Sequence, residues 1–399
     1  MRKWAIVFLL VKIALPVFAA KPAMMQQVTV DQLEQALAAA HNRKDHLLAK
    51  QISNMKLTER LSCSRLDRLE EMVQGPHAKE ALTAIADESA FLNLPASELP
   101  AKPTPSAAEQ TAMLNLSANY VAKEIASWPS FIATRETARF EGTATVIPGD
   151  LQDRLFALDS VRAPTAANWE CPGQPKLGYQ RLSLIDHSNV AVVNRNGREL
   201  HALAEKGGEF ECPENAVSTI EEFGKVLEWV PKIVAHGDVD WSHWEQGPSG
   251  LLAVFRYAVV LSRHSVQIDI QGEIALDPKD GSILRLTETR RWRKHESAPE
   301  TNIATNTPAN AAASAGTSAG YDATVEYNTA VEYGPVNLGG AVYLCPIRRI
   351  AIYLTPILWP PGMNQVHDEL YRRFNLPESP LQEYLNDVHF TQYRLYGPS

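Results

Sequence analysis

Between Ser265 and Leu286 the chain reads SVQIDIQGEIALDPKDGSILRL. Val266, Ile268, Ile270, Ile274 and Leu276 fall on even positions, and Gln267, Asp269, Gln271 and Glu273 on odd ones. A period of two is the pattern of a strand with one apolar and one wet face. The polar DPKDG predicts a turn, and Ile283, Leu284 and Leu286 begin a returning strand. Gly272, in mid-strand, predicts a bend or a close backbone approach. The pattern recurs elsewhere. VAVVNRNGRELHAL predicts a hairpin about Asn196-Gly197, a pair suited to a type I′ turn. DVDWSHWEQ and LLAVFRYAVVL flank a turn at GPSG, with Ala253, Phe255, Tyr257, Val259 and Leu261 on one face of the second strand. ATVEYNTAVEYGPV and AVYLCPIRRIAIYL flank NLGG, and VHFTQYRLY reads as a closing strand.

The first quarter has a different period. Residues 28–92 predict a helical domain of short amphipathic helices. VTVDQLEQALAAAH carries Asp31 as a candidate N-cap, with Leu33, Leu37 and His41 along one side. HLLAKQISNMKL follows, then LTERLSCSRLDRLEEMV with Thr58 as a candidate cap, and HAKEALTAIADESAFLNL beyond Gly75-Pro76. Brief connections between such helices suggest a small antiparallel bundle. Residues 94–109 carry four prolines and read as a linker. A further helix is expected over roughly 108–127 and another over 217–233. Residues 296–320, rich in Ala, Ser and Thr, predict a flexible loop. Hairpin-linked strands with helices set among them define an α+β class. The expectation is a helical bundle followed, over 110–399, by a curved antiparallel sheet with helices on its concave face.

Composition adds room and a compartment. The 399 residues, 45% apolar and 21% charged, suffice for two or three domains. Arg2 and Lys3 precede WAIVFLLVKIALPVFA, and Val17 and Ala19 suit a cleavage after residue 19. Residues 1–19 thus read as a secretory signal peptide. The alternative is a retained anchor, against which Lys12 interrupts the run. Loss of Arg2, Lys3 and Lys12 would deepen the net charge of −8, so nucleic acid is not an expected partner. No later stretch reaches the length of a transmembrane helix. The expected location is periplasmic or secreted. There disulfides form, and Cys171 in WECPGQP and Cys212 in FECPENA are the expected pair, worth roughly 3–4 kcal/mol. Cys63 and Cys345 read as buried free thiols.

Candidate chemistry is sparse. Gly316–Gly320 matches the GxSxG nucleophile turn, but no apolar strand precedes it, so a chance match is expected. His236, Asp238, Asp240 and His243 are close enough to be candidate metal ligands, against a solvated strand flank. Glu245, Glu273 and Asp269 could form a glycosidase-like carboxylate pair, against solvated sheet charges. The basic runs at 290–294 and Arg348-Arg349 could meet an anionic surface, against ordinary solvation. No phosphate-loop, dinucleotide or HExxH motif is present, and no cofactor is expected.

DWSHWEQGPSGLLAVFRYAV, QGEIALDPKDGSILRLT, VEYGPVNLGGAVYLCPIRRIAI and LTERLSCSRLDRLEE together resemble an uncharacterised family of exported bacterial proteins. The strand pairs VVNRNGREL and GEIALDPKDGSILRL, with VEYGPVNLGGAVYLCP, are more loosely similar to periplasmic lipoprotein carriers. Those carriers are curved half-barrels whose concave side binds acyl chains. The N-terminal helices and the Ala/Ser stretch depart from that pattern. The export signal, the alternating strands and the absence of catalytic groups point to a non-enzymatic protein that binds a hydrophobic ligand such as a lipid or acylated peptide. Val266, Ile268, Ile270, Ile274, Leu276, Phe255 and Tyr257 would be the lining, against a simple, fully filled core. The alternatives are a structural or protein-interaction module of the envelope, and a hydrolase with an unrecognised site.

Overall fold

The computed structural model describes residues 26–40, 43–143, 180–195, 198–201, 226–263, 266–294, 326–356 and 381–397. The leader-like segment, Cys171, Cys212, the Asn196-Gly197 turn, residues 217–225 and the stretch 296–320 lie outside them.

The chain opens with β1 (Gln26–Val28), α1 (Val30–Ala39), α2 (Asp45–Ile52), β2 (Met55–Leu57), α3 (Cys63–Met72) and α4 (Pro76–Glu88). β1 and β2 pair in parallel, a ladder of three residues on each side. Two sequence expectations fail in detail. The cap of α1 is Thr29, not Asp31: its hydroxyl accepts from the Gln32 N–H while the Gln32 amide accepts from the Thr29 N–H, a reciprocal capping box. Thr58 does not cap α3; Ser62 is the N-cap, and the Thr58 hydroxyl donates to the Val28 carbonyl. Leu33, Leu37, Ile52, Leu57, Leu69, Leu82 and Ile85 form the unit's own core.

After two short 3-10 turns, the proline-rich segment reaches α5 (Ala107–Ser127), capped by a second box between Ser106 and Glu109. Then come β3 (Phe131–Thr143), β4 (Gln180–Arg195), β5 (Arg198–His201), α6 (Val230–His236), β6 (Asp238–Gly247), β7 (Gly250–Arg263), β8 (Val266–Leu276), β9 (Ile283–Lys294), β10 (Glu326–Leu338), β11 (Ala341–Pro356) and β12 (Leu381–Leu395). These strands make one antiparallel sheet in the order β5-β4-β3-β12-β11-β10-β9-β8-β7-β6. From β6 to β11 the order follows the chain, as hairpins dictate. β12 does not close an edge. It inserts between β11 and β3 and so joins the two strand groups.

The alternation read in the sequence sets the two faces. Ile270, Ile274 and Leu276 of β8 share a core with Phe255 and Tyr257 of β7, Val331 of β10, Val388 of β12, Phe131 of β3, and Val121 and Ile233 of α5 and α6. Ten strands at about 4.8 Å spacing span more than 40 Å, about twice the width of two packed helices. Two helices can share one core with strands from β3 to β8 only where the sheet bends round them. The fold is therefore α+β, with a curved, open antiparallel sheet and helices on its concave face. Gly272 marks a close approach: a Cβ there would stand 1.9 Å from the Thr287 carbonyl oxygen. Gly281, at φ +79°, closes the DPKDG turn directly against the backbone of Leu116 and Ser117 in α5.

The proline-rich segment carries the chain around the β6 edge. Asn93 accepts from Arg256 on the outer face. Ten residues later, the Pro103 carbonyl accepts from Trp244 Nε1 at 2.9 Å, and Lys102 lies 3.6 Å over the same indole, within the inner core. The segment thus covers an otherwise open sheet edge and delivers α5 to the concave side.

Candidate functional site

Polar and apolar residues alternate along the strands, so the outer face receives what the inner core does not take. Ala330, Ile350, Ile352, Leu385 and Phe140 form an apolar island there, and Ala84 of α4 packs on it. Leu252, Val254 and Ala275 make a second island nearer β6. Around these, charged side chains tie the helical unit down. Arg60, in the turn before α3, reaches Glu245 of β6 at 2.6 Å. Arg285 of β9 grips both oxygens of the same carboxylate, the Nη2–Oε2 contact being 2.8 Å, and lies 3.7 Å from Glu273. Arg60 and Glu245 expose only 6% and 8% of their surface. Burial alone would push the Glu245 carboxyl up. Hydrogen bonds from Arg285 and the charges of Arg285 and Arg60 outweigh it, with His243 Nε2 3.6 Å away, and hold the carboxyl far below its usual range. Farther along, Arg348 of β11 bonds Asp87 at the end of α4 and Asp387 of β12, the latter at 2.9 Å.

Between these ties lies a cleft of about 410 Å³, within the usual range of small-molecule sites. Leu61, Leu66, Leu94, Leu252, Leu284 and Ile350 supply its apolar walls, and Arg60, Arg285 and Arg348 enter its polar floor. Ile347 stands at the cleft, 40% exposed. β11 carries one residue more than β10 here: Glu332 pairs with Arg348 and Tyr333 with Pro346, so Ile347 bulges out. The first turn of α3, with Cys63 and Ser64, forms another wall. Cys63 Sγ stands 3.8 Å from Glu332 Oε1. Its surroundings in the cleft, and then the Glu332 carboxylate, push the thiol up to about 11 against the pull of three arginines. The thiol therefore stays protonated at neutral pH and is a weak nucleophile.

The sequence-predicted residues fall in several places. Phe255, Ile274 and Leu276 are fully buried against α5 and α6, Tyr257 and Ile270 are buried beside them, and Ile268 packs at the margin. Val266 begins β8, paired with Arg263 and Lys294. The Tyr257 hydroxyl donates to the Thr287 carbonyl at 2.9 Å. The expected carboxylate trio separates: Glu245 is locked by arginines, Glu273 pairs with Arg256 at 3.2 Å, and Asp269 accepts from Gln267. His236, Asp238 and Asp240 are exposed around the start of β6, and among the described residues no three such side chains converge as a metal set. Arg290 and Arg291 of the basic run pair with Glu288 and Glu326. Cys345 is buried as expected, whereas Cys63 is exposed. Sequence reasoning missed the cleft altogether. The one usable signal was Arg285, a charge alternating with Leu284 and Leu286 on the return strand.

Compared with known proteins, the chain matches no family model, no curated protein and no solved structure. Among the described residues no helix is long and apolar enough to cross a membrane.

Proposed function

We propose that the chain is an exported binding protein that holds an apolar ligand, such as an acyl chain with an uncharged hydrogen-bonding head, between the helical unit and the outer face of the sheet. The observation that carries this reading is the cleft itself: leucine and isoleucine walls over a floor of arginines already paired with carboxylates. Each arginine of that floor already bonds a carboxylate, so an anionic head would find no free cation there. The concave face, the other candidate, is occupied at Phe255, Ile274 and Leu276 by α5 and α6. Export rests on the leader-like residues 1–19 alone. Native mass spectrometry of protein purified from the cells that make it tests the reading. A co-purifying apolar molecule in a ratio of about one per chain is expected. Ligand-free protein with a stoichiometric protein partner would instead favour an envelope interaction module.

A further inference from the structure

The helix α4 ends on two consecutive acids, Asp87 and Glu88, and each meets a carboxylate of β12. Asp87 faces Asp387, and Glu88 faces Glu383. Asp387 and Glu383 lie four residues apart and so share the outer face. One cation serves each pair. Arg348 of β11 bonds both Asp87 and Asp387. Lys56 of β2 stands 2.6 Å from Glu88. Asp87 is 1% and Glu383 4% exposed, and neither Asp87 Oδ2 nor Glu383 Oε2 has a hydrogen-bond partner. The other charged groups nearby do not redress the balance. Glu332 of β10 faces Asp87, and His389 of β12 lies 3.1 Å from Asp387. Arg291 of β9 and Glu326 of β10, beside Glu383 in a recess of about 360 Å³, are paired with each other at 2.8 Å. Two carboxylates share one cation in each half of the interface, and at least one carboxylate of each pair is almost wholly buried.

We propose that docking of the helical unit onto the sheet is coupled to protons, tight in a mildly acidic medium and looser as the medium turns neutral to alkaline. The coupling does not depend on an occupied cleft, but it bears on the cleft, because Asp87 is part of its wall.

The sign follows from the buried acids. Burial, and then the Glu88 charge, push Glu383 up to about 7, with Lys56 opposing. Burial and Asp387 likewise push Asp87 well above its usual range. Asp387 goes the other way: burial would raise it, but hydrogen bonds from His389 and Arg348 outweigh this and keep it ionised. Once undocked, Glu383 and Asp87 would meet water and return towards ordinary values near 4. The docked form therefore holds more protons. Undocking becomes easier as pH climbs from the ordinary carboxyl range to about 7, and levels off above it. For Glu383 alone the change in the undocking equilibrium is on the order of a hundred-fold.

Thiol labelling of the full chain tests this. Ala84→Cys places a probe on the helical face that packs on the sheet. Its labelling rate, divided by that of the unfolded chain at the same pH, reports undocking. The normalised rate should rise on the order of a hundred-fold between about pH 5 and about pH 8. Labelling of Cys345, buried in the inner core, should not follow. Glu383→Gln in that background should flatten the profile, and Glu88→Gln, which removes the neighbouring charge, should shift it to lower pH. A flat profile in the parent would overturn the proposal. So would an unchanged slope in both glutamine variants, or Cys345 labelling in parallel with the introduced thiol.

Discussion

Replacing Glu245 by glutamine keeps the shape of the side chain and removes the one charge that Arg60 and Arg285 share. The guanidinium side chains are 7% and 14% exposed, so water from the cleft replaces the lost partner only in part. Breaking a buried pair by removing one partner costs about 3–5 kcal/mol, because a charge is left stranded. Here two are stranded. Arg285 retains Glu273 at 3.7 Å, which draws the expectation to the lower end, about 3 kcal/mol. Trp244, next in the chain, gives a fluorescence signal for urea unfolding at neutral pH. The expected result is a lower midpoint with an unchanged slope. Arg60→Met in the Glu245→Gln background should recover part of the loss, the non-additivity expected of contacting residues. A loss below about 1 kcal/mol, the level of an exposed surface pair, would mean that no buried clamp joins the helical unit to the sheet.

Stability should peak at mildly acidic pH: Glu245, held low, gives stability above its ordinary range that is lost as pH falls, whereas Glu383, raised to about 7, is destabilising once pH passes from the ordinary carboxyl range towards 7; a series of thermal midpoints checks this, and a maximum above about pH 8 would contradict it. Cys63, although exposed, should alkylate at neutral pH about tenfold more slowly than a free thiol of pKa 9.0, since its own is pushed up to about 11 and the smaller thiolate fraction outweighs the higher nucleophilicity of that thiolate; iodoacetamide kinetics followed on its tryptic peptide read the ratio. Ile274→Ala should cost about 2–5 kcal/mol in urea unfolding, as for any fully buried aliphatic truncation. Gly272→Ala should yield little folded protein, because its methyl would meet the Thr287 carbonyl and the Tyr257 hydroxyl; soluble yield and circular dichroism decide.

Much of the sheet was legible because its strands carry their own period. Val266 to Gln271 alternates without a break, and the hairpins at 247–250, 277–282 and 339–340 have the glycines and aspartates such turns need. The place of β12 was not legible: VHFTQYRLY has the same alternation at the centre of a sheet as at its edge. The β1–β2 ladder was hidden because three-residue strands between helical patterns carry too few positions to show a period. Thr29 displaced Asp31 as a cap by one start of the helix, within the ordinary uncertainty of helix ends. The cleft was the least legible part. Arg60, Glu245 and Arg285 stand far apart in the chain, and each alone looks like a solvated charge. Only the docking of α3 and α4 on the outer face, with the wrap of the proline-rich segment around β6, brings them together.

The proposed ligand site lies between the helical unit and the outer face of the sheet. Fluorescence titration with N-phenylnaphthylamine, an uncharged apolar probe, tests it most directly when Ile347→Trp and Ser64→Trp are measured beside the parent. Both side chains line the cleft without belonging to either core, so the variants fill it and leave the fold intact. Saturable binding of one probe per chain is expected, weakened at least about tenfold, or about 1.4 kcal/mol, by each tryptophan. No saturable binding by the parent, or equal binding by all three proteins, would contradict it.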